Sequence, residues 1–141
     1  MRIALRLVPA MLALAAGSAA AGELRATIQN VKPQQGRLWV ALYDGPDAYK
    51  ADRRLAGQFV DGAAAEATVV FAGLAPGRYG LSAFQDLDGD GALGTNLLGV
   101  PTEPYGFSRA AAGRFGPPDF EAMAVAVEDG GVAATLIPLT P

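Results

Sequence analysis

Asp86-Leu87-Asp88-Gly89-Asp90-Gly91 sets three carboxylates at alternate positions and closes them with a turn-forming glycine. That pattern suits a hard cation, because calcium takes about six to eight oxygen ligands and a D-x-D-x-D-G loop wraps side-chain oxygens around one point. Counted as an EF-hand loop from Asp86, the backbone-carbonyl position falls on Ala92 and the bidentate glutamate position falls on Leu97. The bidentate acid is therefore missing, and strands rather than helices flank the loop, so it is not an EF-hand. Asn96 or Glu103 supplies further oxygens if the downstream chain folds back. The candidate ligands for Ca2+ are thus Asp86, Asp88, Asp90, the carbonyl of Ala92, Asn96 and Glu103. The competing reading is a plain turn, since Asp and Gly both favour turns. Three adjacent carboxylates repel one another, however, and a turn built from Asn, Ser or Gly avoids that cost.

Other chemistry is narrowly bounded. The chain has no histidine and no cysteine, which excludes Ser-His-Asp and Cys-His catalysis and histidine-ligated zinc. Ser82 and Ser108, the only serines after residue 21, have no imidazole to activate them. Glu103 with Asp119 or Glu121 is the one acid/base pairing open to a small carboxylate-dependent hydrolase acting on envelope glycans, and solvated loop acids are the simpler reading. Tyr105, Phe107, Phe115 and Phe120 offer a binding surface for a protein or glycan of the cell envelope, or else a satellite core. Trp39 reads as a sheet residue.

The elements that position these groups follow an export signal. Arg2 and Arg6 precede the apolar run Leu7 to Ala16, and Ala19-Ala20-Ala21 offers a small-residue cleavage site, so residues 1–21 read as a cleaved signal peptide. The run is too short to span a bilayer, and no cysteine follows it to take a lipid anchor. A periplasmic or secreted protein is expected. Without residues 1–21, nine basic residues face fourteen acidic ones, a formal charge of −5. The remaining Lys and Arg are scattered, which argues against nucleic acid. About 120 residues suit one domain, 22–141, and without disulfides its stability must come from packing and from a bound ion.

Alternation dominates that domain. Leu24, Ala26 and Ile28 share one face, and Arg37 to Tyr43 is apolar on both faces, as for a strand covered on both sides. Lys32 to Gly36 reads as the hairpin connection between them. Ala48 to Leu55 holds a short helical turn, followed by Gln58-Phe59-Val60, then strands over Glu66 to Ala72 and Arg78 to Asp86 joined by Leu74-Ala75-Pro76-Gly77. Periodicity lapses from Gly91 to Asp119, a Gly- and Pro-rich stretch with too many large apolar groups for a solvated tail. Glu121 to Glu128 and Val132 to Leu139 close the chain as two strands joined by the turn Asp129-Gly130-Gly131. The pattern predicts an all-β, antiparallel β-sandwich of about seven strands with a long ordered loop.

An ordered series of motifs resembles the uncharacterised exported family DUF2141. It comprises Trp39-Val40-Ala41-Leu42-Tyr43, Leu74-Ala75-Pro76-Gly77-Arg78-Tyr79, the Asp86 to Gly91 loop, Gly99-Val100-Pro101-Thr102-Glu103-Pro104-Tyr105-Gly106-Phe107-Ser108 and Phe115-Gly116-Pro117-Pro118-Asp119-Phe120. The Leu74 to Tyr79 element is also similar to transthyretin-like and carboxypeptidase regulatory-like modules. The resemblance implies an Ig-like or transthyretin-like sandwich and an exported location, and it lends no activity. Where the family carries another polar residue after the position of Leu93, this chain has Gly94-Thr95.

Overall fold

The computed structural model describes residues 20–140, so all but the last two residues of the expected signal peptide lie outside the described residues. Eight strands follow in order: β1 (Gly22–Gln29), β2 (Arg37–Tyr43), β3 (Ala56–Asp61), β4 (Ala67–Leu74), β5 (Gly77–Asp86), β6 (Tyr105–Phe107), β7 (Val125–Val127) and β8 (Val132–Pro138). Two short α-helices, α1 (Pro46–Lys50) and α2 (Phe120–Met123), and a 3-10 turn over Ser108–Ala110 interrupt them. The all-β class is as the alternation predicts. One sheet runs β4-β1-β8 and the other β3-β2-β5-β6, with β7 also paired to β5. Leu24, Ala26 and Ile28 of β1 share one buried cluster with Leu38, Val40 and Leu42 of β2 and with Leu81 and Ala83 of β5. The period of two places each set on one side of its strand, so the two sheets bury their apolar faces against each other.

Most strand positions agree with the sequence reading, but β6 lies inside the stretch read as a long loop, and several partners differ. β1 pairs with β4 and β8 rather than with β2, so Lys32 to Gly36 carries the chain between sheets and is not a hairpin. The turn at Asp129-Gly130-Gly131 likewise joins β7, which pairs with β5, to β8, which pairs with β1. The β1–β8 pairing is parallel, from Glu23 opposite Val132 to Gln29 opposite Pro138, which makes that sheet mixed. The strand expected over Glu121 to Glu128 divides into α2 and β7. Phe120 and Met123 stand three apart, and a helical turn lets both bury on the same face.

That face is the outer side of the second sheet. Ala41 and Tyr43 of β2 form a second buried cluster with Phe120, Met123 and Ala124, and Tyr49 of α1 and Phe107 of β6 pack against it. Bare backbone at Gly80 admits α2, since a Cβ there would lie 2.6 Å from Met123 Cε. β2 is therefore covered on both sides, as its two apolar faces require. Along β5, the buried Ser108 hydroxyl accepts the Leu81 N–H at 3.0 Å and donates to the Met123 carbonyl at 2.5 Å. It links β6 to the segment that enters β7.

Candidate metal centre

The centre is built where β5 runs out. Asp86, its last residue, is buried, and Arg37 of β2 lies opposite it in register. Gly36 makes that approach possible: it sits at φ 63°, and a Cβ there would fall 1.9 Å from the Asp86 carbonyl oxygen. Beyond Asp86 the carboxylates bend the chain on themselves. Asp86 Oδ1 accepts the Gly89 N–H at 3.0 Å and Oδ2 the Gly91 N–H at 2.9 Å. Asp88 accepts from Asp90 N–H at 3.1 Å and Asp90 from Ala92 N–H at 3.0 Å. Gly89 and Gly91 take φ values of 74° and 76°, the left-handed conformation that such turns need.

The chain then folds back. Thr95 bridges Pro101, the Thr102 N–H donates to the Gly94 carbonyl at 2.8 Å, and the Gln85 N–H donates to the Pro104 carbonyl at 2.8 Å. This return delivers Glu103, which is buried. Its Oε1 accepts from Leu87 N–H at 2.9 Å and Asp88 N–H at 3.4 Å, and its Oε2 from Gly94 N–H at 2.8 Å. Asp86, Asp88, Asp90 and Glu103 each offer a carboxylate oxygen within 4.8 Å of the others, an arrangement that could hold a metal ion. Asp86 and Glu103 form the buried floor, while Asp88 and Asp90 are exposed at the mouth. The Asn96 Oδ1 accepts the N–H groups of Leu98 and Val100. Ala92 lies in the exposed stretch after Asp90.

Four like charges gather here, and none of them forms an ion pair with a base among the described residues. The ion pairs among the described residues are Arg25–Glu23 and Arg78–Glu121, and neither involves this cluster. Burial of Asp86 raises its pKa, but the Gly91 N–H, the Asp88 side chain and the Gly89 and Asp90 N–H groups outweigh it and hold the carboxyl below its ordinary value. At Asp88 the Asp90 N–H favours ionisation, yet the carboxylates of Asp90 and Asp86 and partial desolvation push the group upward. Two neighbouring acids pulled apart in this way share one negative region. A divalent cation is the species that would stabilise both in ionised form.

Three of the four candidate surface aromatics, Tyr105, Phe107 and Phe120, line one cavity, and Phe115 does not. Phe120 is buried, Tyr105 and Phe107 are half-buried with their rings edge-on at 6.1 Å, and Phe115 is fully exposed. Leu97, Leu98 and Val100 are also exposed, at the tip of the returning loop. Tyr105 and Phe107 line a cavity of about 1000 Å³ on the outer face of the second sheet, together with Trp39, Tyr43, Tyr49 and the loop residues Gly91 to Leu93. Sequence reasoning missed this cavity. Its one signal was the second apolar face of Arg37 to Tyr43, which carries Trp39 and Tyr43.

No curated protein and no solved structure matches the chain. The family model described as "Uncharacterized protein conserved in bacteria (DUF2141)" matches residues 26–135, which span β1 to β8 and include all four clustered acids. The chain therefore belongs to the DUF2141 family.

Proposed function

We propose that this is an exported, non-enzymatic β-sandwich domain, stabilised by Ca2+ and binding a protein or glycan of the cell envelope through the loop over residues 91–119. The observation that carries the reading is the convergence of Asp86, Asp88, Asp90 and Glu103 within 4.8 Å, with no base among the described residues ion-paired to them. Carboxylate oxygens alone, partly open to solvent, suit a hard cation that keeps some water in its shell. The ion ties the end of β5 to the chain returning into β6. Beside it, the exposed Leu97, Leu98, Val100 and Phe115 give the loop an apolar surface of the kind that partners cover.

The hydrolase reading gains less support. Glu103 is occupied by three backbone N–H groups, whereas Asp119 and Glu121 line the cavity on the other side of the loop. Calorimetric titration of Ca2+ into EDTA-stripped protein tests the calcium reading. One site with a dissociation constant of about 0.1–1 mM is expected, as for extracellular modules, and Asp88→Asn and Asp90→Asn should weaken it. Absence of any heat of binding at millimolar Ca2+ would overturn it.

A further inference from the structure

The cavity on the outer face of the second sheet has a floor laid out in rows. Strand register places Phe59, Trp39, Phe84 and Tyr105 side by side across β3, β2, β5 and β6. The next row is small, with Gly57, Ala41 and Ser82 in register before Phe107. A Cβ on Gly57 would lie 2.6 Å from the Trp39 ring, so the indole lies down over bare backbone. Trp39, Phe84 and Tyr105 thus form one wall of a trough, the small row its bed, and Tyr49, Pro118 and Phe120 the opposite wall. The rim carries charge of both signs, Lys50 and Arg54 against Asp52, Asp119 and Glu121, the last of these ion-paired with Arg78 outside the lining. Asp52 is held in place by the Tyr43 hydroxyl, which donates to its Oδ1 at 2.7 Å, and it adopts a left-handed φ of 51°.

We propose that this trough is a glycan-binding site that takes a short chain of neutral pyranose rings. A sugar ring has an apolar C–H face and an equatorial edge of hydroxyls that both donate and accept. Flat aromatic walls receive the first, and side-chain carboxylates, a guanidinium and an ammonium at the rim receive the second. A rim with one acid more than it has bases disfavours a strongly anionic polymer. A peptide adding as a strand needs free main-chain groups, and the bed is the middle of a sheet whose backbone is already paired. Ligand pockets run to about 300–1000 Å³, so a cavity of about 1000 Å³ accommodates more than one ring. The site deepens the binding reading above, because Gly91, Ala92 and Leu93 of the acidic loop close one side of it.

Trp39 is the single tryptophan of the chain, so its emission reports occupancy of the trough directly. The protein is titrated with chitotetraose, cellotetraose and maltotetraose, and separately with a polyproline peptide, each in EDTA and in millimolar Ca2+. Saturable change with at least one glycan is expected, with a midpoint below about 1 mM, and weakening of about tenfold is expected in Tyr105→Ala and in Asp52→Asn. Melting midpoints of both variants accompany the titrations, and Phe84→Ala replaces any variant that fails to fold. Failure of all three glycans to saturate the signal, or saturation by the peptide alone, overturns the proposal. Calorimetry with Ca2+ alone separates this result from the calcium reading: glycan binding that persists in EDTA supports the trough even where no ion binds.

Discussion

Glu103 and Asp90 stand in the same acidic cluster and should answer mutation in opposite ways. Glu103 uses both oxygens as acceptors for Leu87, Asp88 and Gly94 N–H groups. Glutamine offers one carbonyl, and its amide then faces an N–H, so Glu103→Gln should cost about 1–3 kcal/mol in urea denaturation in EDTA. Asp90 is exposed and accepts only the Ala92 N–H. Asparagine keeps that bond while removing one of four like charges, so Asp90→Asn should leave EDTA-treated protein as stable or slightly more so. Both variants should lose Ca2+ affinity. Tyr43 makes a separate pH prediction. Burial and then its hydrogen bond to Asp52 push its pKa up to about 12, with the Ser82 hydroxyl and Arg54 pulling the other way. The folded state therefore holds the phenolic proton more tightly than the unfolded chain. The associated stability is complete below the ordinary value of 10.0 and is lost as pH rises towards about 12. Melting midpoints recorded across that interval should fall less steeply in Tyr43→Phe than in the native protein.

Elements were legible where a side chain's period alone sets the outcome. Leu24, Ala26 and Ile28 alternate, and they are buried on one side of β1. The partners of the strands were not legible in the same way, because Lys32 to Gly36 and Asp129 to Gly131 encode a change of direction and not a destination. β1 pairs with β4 and β8, while its core cluster also holds residues of β2 and β5, so an apolar face shows that a strand is buried and not which strand lies beside it. The Asp86 to Asp90 ligands were legible because they are local. Glu103 was legible only as a candidate, since its arrival depends on the Thr95–Pro101 bridge and the Gln85–Pro104 bond. Gln85 itself illustrates the limit. It occupies a fully buried position on β5, where its Oε1 accepts the Lys32 N–H and its Nε2 donates to the carbonyls of Lys32 and Gln35. Nothing local in the sequence marks it as the anchor of the connector between β1 and β2. Gln85→Leu frees three backbone groups of that connector, which water can re-solvate in part. A loss of about 1–3 kcal/mol is expected, with faster amide exchange over residues 32–36. Because Gly36 lies against the Asp86 carbonyl, Ca2+ binding should weaken along with it.

The molecule as a whole joins two sheets through one core and hangs its acidic loop and its trough on the same strand, β5. Asp86 ends that strand, while Ser82 and Phe84 lie in the bed and wall of the cavity. With no cysteine to cross-link it, the fold depends on packing and on whatever binds the native state. An ion that prefers the folded chain adds RT ln(1 + [L]/Kd), so about 10 mM Ca2+ against a Kd of about 0.1–1 mM contributes about 1.4–2.7 kcal/mol. For a domain of this size that is roughly 5–10 °C in melting midpoint. Mg2+ at the same concentration should raise it less, because it demands a tighter octahedral shell and gives up water reluctantly. Asp88→Asn should erase most of the Ca2+ effect, and Leu97→Ser with Leu98→Ser should leave it intact, since those side chains point into solvent. A calcium response equal in the native protein and in Asp88→Asn would mean that the ion acts elsewhere on the surface. The convergence of four acids would then be a turn and nothing more.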